Sequence, residues 1–219
     1  MVKGKRGVGS GWIDVTVPVR TGMVVWPGDI SVQVERRSFI ESGDRANNST
    51  LHMGTHTGTH MDAPLHFLAK GKSIDQLPLD DVIGPARVIE ISDAESIRPE
   101  ALEPYKIQPG ERILFKTRNS RTCWQSNAFV PDFVYITAGA ARRLADIGVR
   151  LVGVDYLSVG GFQKDMVETH LALLGAGIWL IEGLDLAAVS AGNYELICLP
   201  LRLVGAEGSP ARAALRPVS

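Results

Sequence analysis

Short apolar segments alternate with polar turns along the chain, and most of these segments have the two-residue period of β-strands. Residues 84–91 (GPARVIEI) and 112–116 (RILFK) are clear examples. Helical spacing is confined to shorter stretches that end in stop signals such as Gly148. The predicted strands cover residues 12–19, 31–38, 84–91, 112–116, 133–136, 149–154, 178–182, 194–199 and 202–204, and the predicted helices cover residues 99–105, 140–147 and 168–175.

This order of elements predicts an α/β fold with a mixed sheet and more strand than helix. The strand, helix and strand within residues 133–154 predict a right-handed crossover with local parallel pairing. A length of 219 residues suits one domain, which we place at residues 12–219. Residues 1–11 contain four glycines and no periodic pattern, so we expect a disordered or arm-like tail there.

The composition excludes several classes of function. A net charge of −1 provides no basic field for nucleic acid and no polybasic patch for anionic lipid. No apolar run approaches the ~18 residues of a membrane span, and no apolar segment follows the basic N-terminus as in a secretory signal. The two cysteines, Cys123 and Cys198, lie far apart, so we expect no disulfide framework and a cytoplasmic location.

Histidines are concentrated in one stretch, because four of the five lie within residues 52–66. Imidazole and carboxylate groups are ligands that zinc, manganese and iron take from proteins. A helical turn would bring His56 and His60 onto one face, whereas an extended segment would do the same for His60 and Asp62. The stretch therefore predicts a metal site, with both local conformations open.

Other candidate residues follow from the same chemistry. His52 has the four-residue spacing of a ligand, but we interpret it as a packed or supporting histidine. Glu182 ends an apolar strand, where a buried carboxylate needs a partner, and His170 is the remaining histidine. The residues alone leave open whether these two join the site. Asp155 and Tyr156 also follow a strand and are a weaker candidate pair.

Residues 117–129 are predicted to form a loop without its own secondary structure, which is often functional. Cys123 in this loop is not a nucleophile candidate, because no histidine lies near it in the sequence. Four aromatic residues are candidates for lining a substrate cavity: Trp26, Phe39, Trp124 and Phe129. Of these, we interpret Phe39 as a core residue.

Residues 56–66, with the sequence HTGTHMDAPLH, resemble the signature of the cyclase family of bacterial metal-dependent hydrolases. This family includes the bacterial kynurenine formamidases and the isatin hydrolases. The resemblance extends over about residues 12–216. Its further blocks are IDVT at 13–16, WPGD at 26–29, VGVD at 152–155 with Ser158, IEGLDL at 181–186, GNYEL at 192–196, and LPLR at 199–202 continuing to PAR at 210–212.

The resemblance implies a site with two metal ions, most simply zinc, with manganese as a second choice. His56, His60 and Asp62 would bind the first ion. Asp62 would bridge to a second ion held by His170 and Glu182. The implied fold is a swivelling β/β/α arrangement in a single domain, assembled as a homo-oligomer, either a dimer or a tetramer, with an N-terminal arm that reaches the partner.

The resemblance also implies roles in catalysis. His66 would be the acid/base residue, and Trp26 would lie against the substrate ring. The expected substrate is a small molecule, an aryl formamide such as N-formylkynurenine, whose amide C–N bond is hydrolysed. Two alternatives stay open: hydrolysis of isatin or another cyclic amide or ester, and a non-catalytic binding protein stabilised by metal.

Overall fold

The computed structural model describes residues 11–218, so the predicted tail lies outside the described residues except for Gly11. The strands are β1 (Ile13–Asp14), β2 (Gln33–Ser38), β3 (Asn48–His52), β4 (His60–Asp62), β5 (Ile83–Glu90), β6 (Ser96–Ile97), β7 (Arg112–Lys116), β8 (Tyr135–Ile136), β9 (Leu151–Val154), β10 (Trp179–Glu182), β11 (Gly192–Pro200) and β12 (Gly208–Pro217). The α-helices are α1 (Leu79–Val82), α2 (Pro99–Leu102), α3 (Asn119–Thr122), α4 (Ala138–Ile147) and α5 (Met166–Gly175). Short 3₁₀ helices cover Ile40–Ser42, Pro64–His66, Ile74–Gln76, Glu103–Tyr105 and Cys123–Gln125.

Seven strands form a closed, barrel-like sheet in the order β12, β11, β5, β7, β9, β10 and β4, and β4 pairs again with β12. The four strands β5, β7, β9 and β10 run parallel to their neighbours in this series. The remaining pairs are antiparallel, and β1 adds to the far end of β12. Closure leaves few strand edges exposed. The predicted α/β class, with a mixed sheet and more strand than helix, is confirmed.

The two faces of the sheet bury different sets of side chains. Leu114 and Ile181 belong to the apolar cluster inside the barrel. Their neighbours along the strands, Phe115 and Leu180, belong to the cluster that α4 and α5 cover on the other face. This alternation follows from the two-residue period of a strand. The face beneath α5 is the one that carries the candidate site.

Strands β2 and β3 form a separate hairpin that pairs only with itself among the described strands. Its residues are exposed apart from half-buried Ser38. Phe39, at the end of β2, is 43% exposed, so the interpretation of Phe39 as a core residue is wrong. The hairpin has no second layer on either face in the described chain, which is why its apolar residues stay at the surface.

Several local predictions differ from the structure. The predicted strand at residues 12–19 is regular only at Ile13–Asp14. Residues 202–204 are not a strand, and the long strand β12 that follows them was missed. Residues 117–129 contain α3 and a 3₁₀ helix rather than an unstructured loop. Parallel pairing was predicted between the two strands within residues 133–154. In the structure these strands are β8 and β9, and β8 pairs with β6 rather than with β9.

None of the helices in residues 11–218 has the length and apolar character needed to cross a membrane.

The predicted helices at residues 99–105, 140–147 and 168–175 are all present, each within two residues of its expected start and end. Thr137 caps α4, because its side chain accepts a hydrogen bond from the backbone N–H of Ala140.

Candidate metal and substrate site

The register between β4 and β10 places three candidate ligands on one face. Glu182 pairs with His60 across the two strands, and Leu180 pairs with Asp62. Met61, between the two β4 ligands, packs inside the barrel. An extended backbone therefore brings His60 and Asp62 to the same face, with Glu182 beside them. All three side chains are buried.

Short distances join these groups. His60 Nε2 lies 3.3 Å from Glu182 Oε2 and 3.4 Å from Asp62 Oδ1. His56, in the turn before β4, places Nδ1 2.7 Å from the same Asp62 oxygen. Asp62 thus lies at the centre of the cluster.

Helix α5 adds the histidine from the distant part of the chain. His170 Nε2 lies 3.3 Å from Glu182 Oε1 and 3.7 Å from Asp62 Oδ2. Its Nδ1 lies 2.6 Å from the carbonyl oxygen of Met166, and His60 Nδ1 lies 3.0 Å from that of Gly58. Each carbonyl oxygen accepts a hydrogen bond from Nδ1–H, so in the neutral form of each imidazole Nε2 carries a lone pair directed to the cluster.

Within residues 11–218, three buried side-chain atoms of the cluster have no hydrogen-bond partner: His56 Nε2, His60 Nε2 and Asp62 Oδ2. Leaving buried polar atoms unpaired is costly in free energy. Two groups of three residues each bring their possible ligand atoms within 4.8 Å of one another. One group is His60, Asp62 and Glu182, and the other is His56, Asp62 and His66. The residues present therefore fit a metal ion.

Opposite charges perturb the buried groups strongly. Burial disfavours the cation of His60, but its contacts with Asp62 and Glu182 outweigh burial and raise the pKa to about 10. Burial likewise opposes the charge of His170, yet the Glu182 carboxylate raises the pKa of this imidazole. Burial raises the pKa of Asp62, but contacts with His56 and His60 hold it well below its usual range. The cluster thus stabilises ionised carboxylates that attract a cation.

His66 lies at the end of the 3₁₀ helix Pro64–His66 and is half-buried. Its ring stacks on His56, with centroids 3.9 Å apart and an interplanar angle of 23°. The neighbouring Phe67 stacks on His170 at 4.3 Å. Burial lowers the pKa of His66, which favours a neutral imidazole that can accept a proton.

These groups open into a cavity of about 200 Å³. Its lining combines three metal-ligand candidates, His56, His170 and Glu182, with His66 and with apolar and aromatic side chains. Trp26 belongs to this lining and is held by edge-on contacts with Phe129, Phe133 and Phe162, at centroid distances from 5.3 to 6.3 Å. The lining residues are Trp26, Asp29, His56, His66, Phe67, Leu157, Ser158, Met166, His170 and Glu182.

Several sequence candidates lie elsewhere. His52 is exposed on β3 and, within residues 11–218, forms no ion pair with the cluster carboxylates, whereas His170 lies 3.3 Å from Glu182. Asp155 is buried outside the cavity, where its carboxylate accepts hydrogen bonds from Thr117 and Ser120. The Tyr156 hydroxyl accepts one from the backbone N–H of Val130. Asp155 and Tyr156 therefore support the fold around the loop rather than contact the site.

The other aromatic candidates and the cysteine of residues 117–129 lie outside the cavity lining. Trp124 donates its indole N–H to the carbonyl oxygens of Asp155 and Leu184, at 3.1 and 3.0 Å. Phe129 lies against Trp26, behind the cavity wall. Cys123 is fully buried, and burial raises the pKa of its thiol, which agrees with its exclusion as a nucleophile.

Two residues near the C-terminus, Glu207 and Gly208, complete the surroundings of His56. The sequence alone did not identify them as part of the site. Glu207 Oε1 lies 3.4 Å from His56 Nε2 and accepts a 2.7 Å hydrogen bond from the Thr55 hydroxyl. A Cβ on Gly208 would lie 2.5 Å from His56 Cε1, so only glycine leaves room for this ring. No motif identifies these two residues, because β12 brings them to β4 from more than 140 positions away.

Comparison with known proteins agrees with this geometry. The family model described as putative cyclase matches residues 13–160. The kynurenine formamidase of Salinibacter ruber is 42% identical over 208 residues, covering 93% of this chain and 96% of that protein. The kynurenine formamidase of Bacillus thuringiensis is 39% identical over 210 residues, covering 95% and 99%.

Solved structures share the fold. A potential metal-dependent hydrolase with cyclase activity has a TM-score of 0.81 and 36% identity, covering 93% of this chain and 96% of that one. Isatin hydrolase A from Labrenzia aggregata has the same TM-score at 24% identity, with coverage of 93% and 92%, which shows the fold alone. The ligand sets and the metal-dependent relative together support a metal cofactor. This chain belongs to the cyclase family, as its histidine motif predicted.

Proposed function

We propose that this protein is a metal-dependent hydrolase that cleaves the amide C–N bond of an aryl formamide, with N-formylkynurenine as the first candidate substrate. The observation that carries the proposal is one cavity lined by His56, His66, His170, Glu182 and Trp26. It adjoins the buried cluster in which atoms of His56, His60 and Asp62 lack a hydrogen-bond partner among residues 11–218. The identity of 37–42% to kynurenine formamidases over almost the whole chain supports this reaction class and this substrate.

The proposed cofactor is zinc, with two ions per chain and manganese as the second choice, because the ligand set offers only nitrogen and oxygen. His56, His60 and Asp62 hold one ion in this proposal. Asp62 also contributes to the second, together with His170 and Glu182. The central position of Asp62, within 3.7 Å of three imidazoles, supports its bridging role.

When bound, such an ion lowers the pKa of a water molecule and polarises a carbonyl oxygen. His66 is the proposed acid/base residue. Its neutral imidazole accepts the proton of the attacking water and then donates it to the leaving aryl nitrogen. The stacking of His66 on His56 fixes the ring beside the ligand cluster and at the cavity surface. The same stacking places His66 within reach of a metal, so metal content of His66 variants must be measured with their rates.

Trp26 is the proposed contact for the aromatic ring of the substrate. Its place in the same lining as His56 and His170 supports this role, because a ring packed on the indole shares this small cavity with the ligand cluster. Three phenylalanines hold the indole in place, so the wall is formed before a substrate binds.

The test is hydrolysis of N-formylkynurenine by enzyme of defined metal content, followed by absorbance with and without a chelator. Isatin and small lactones in the same panel measure the alternative substrates. We expect rapid turnover of the formamide that the chelator abolishes and that added zinc restores. Metal-loaded protein without activity on any of these compounds would contradict the proposal and favour a binding protein.

We also infer a homo-oligomer, either a dimer or a tetramer, working in the cytoplasm. The β2–β3 hairpin supports assembly, because Val34 and Leu51 on it are 45% and 55% exposed. Apolar side chains grouped on an exposed hairpin are typical of contact surfaces. Sedimentation velocity of wild type and of a Val34→Ser, Leu51→Ser variant measures the oligomeric state. A monomeric wild type would contradict the inferred homo-oligomer.

A further inference from the structure

The cavity contains one acidic side chain that neither the metal cluster nor the proton transfer uses. Asp29 lines the cavity, and within residues 11–218 no group pairs with its carboxylate. The other carboxylate in the lining, Glu182, belongs to the ligand cluster. Among the described residues that line the cavity there is no lysine or arginine. The free charge on the substrate side is therefore negative.

A tight turn couples Asp29 to the aromatic wall. The backbone N–H of Asp29 donates a 3.0 Å hydrogen bond to the carbonyl oxygen of Trp26. Pro27 occupies the second position of this turn and Gly28, with a φ of 98°, the third, which is the pattern of a type II turn. Because Trp26 is held by three phenylalanines, the turn fixes the backbone of Asp29 relative to the indole.

We propose that Asp29 selects aryl formamides that carry an ammonium group on the side chain of the ring. A ring against Trp26 with its formamide at the histidines leaves its other substituent near the Trp26–Asp29 turn. There the Asp29 carboxylate pairs with a cation. A substituent that carries only a carboxylate meets no positive side chain of the described chain. This inference rests on the proposed formamidase function and names the substrate class that the site prefers.

Three substrates separate the charges: N-formylkynurenine, which has an ammonium and a carboxylate; N-formylkynurenamine, which has only the ammonium; and the desamino analogue of N-formylkynurenine, which has only the carboxylate. Steady-state kcat and KM are measured for wild type, Asp29→Asn and Glu100→Gln. The last variant removes one negative charge from an exposed position on α2, outside the cavity.

We expect wild type to prefer both ammonium substrates over the desamino analogue. Asp29→Asn should raise KM for the two ammonium substrates about fivefold, the effect of one exposed ion pair, and leave kcat unchanged. The desamino analogue should change by less than about twofold in KM. Glu100→Gln should behave as wild type. The selective loss should shrink at high ionic strength, because salt screens exposed charges.

An equal loss on all three substrates would mean that Asp29 maintains the turn, and no loss on any would mean that it does not contact the substrate. Either result overturns the inference while leaving the formamidase function intact. If wild type hydrolyses none of the three, the proposed function fails instead. Calorimetric binding of kynurenamine to metal-loaded wild type and Asp29→Asn then still decides the inference, because equal affinities would overturn it.

Discussion

His60 and Glu182 face each other across the antiparallel pair of β4 and β10, with His60 Nε2 3.3 Å from Glu182 Oε2. Both side chains are buried, and both point away from the barrel interior that Met61 and Ile181 fill. A register slip of one residue would turn one of the two strands over and separate the pair. The candidate metal site therefore depends on the sheet register as much as on the ligands.

Replacing Glu182 should remove one of two ions. We expect two zinc ions per chain in wild type and one in Glu182→Ala, because His56, His60 and Asp62 remain. Elemental analysis after dialysis measures the difference. Glu182→Gln is the control for the fold, since its amide oxygen can still accept the 2.7 Å hydrogen bond that the Val159 N–H donates to Glu182. In Glu182→Ala that N–H loses its partner, which costs about 1–3 kcal/mol of unfolding free energy. A wild type with one ion would contradict the two-ion assignment.

His66→Ala should keep its metal and lose turnover. An acid/base residue contributes about 10²–10⁴-fold to the rate, so kcat should fall by that factor with unchanged metal content. His52→Ala is the matched control, because His52 is exposed on β3 and should keep the wild-type rate. Loss of metal from His66→Ala would instead make His66 a ligand, together with His56 and Asp62.

Gly208→Ala should weaken metal binding although it replaces no ligand. Its Cβ would lie 2.5 Å from His56 Cε1, 2.8 Å from His56 Nε2 and 3.0 Å from the Met61 carbonyl oxygen, so the imidazole must move. We expect about a tenfold loss of zinc affinity, measured by competition with a chelating dye. Gly175→Ala at the end of α5 is the control, since a Cβ there meets no atom within 4 Å. Equal zinc affinities for the two variants would show that the ring adapts without cost.

Asp155→Ala should destabilise the fold without emptying the site. The buried carboxylate accepts four hydrogen bonds, from the backbone N–H and the hydroxyl of both Thr117 and Ser120. Leaving these donors unpaired should cost about 3 kcal/mol of unfolding free energy. Denaturant unfolding measures the loss, and Asp146→Asn at an exposed position of α4 should stay within about 0.5 kcal/mol of wild type. A drop in metal content of folded Asp155→Ala would show that this residue acts on the site.

Local sequence was sufficient for the elements whose residues match their surroundings. Residues 112–116 alternate between the barrel interior and the helix-covered face, and their strand was predicted with its observed ends. The sequence of β12, GSPARAALRP, lacks β-branched residues, so its local preference does not indicate a strand. β12 forms because β11 pairs along it on one side while β4 and β1 share the other. Such pairing is a tertiary contact that no window of the sequence contains.

The sequence by itself determined the chemistry of this protein: which imidazoles and carboxylates are available, and that His56, His60 and Asp62 lie close together in the chain. The motif also placed the chain in its family. Only the tertiary structure decided that His170 on α5 and Glu182 on β10 meet Asp62, that Gly208 makes room for His56, and that Asp29 shares the cavity with Trp26. The physical reason is that contacts of a few ångströms between distant residues depend on strand register, barrel closure and helix packing. These are properties of the whole chain rather than of any segment.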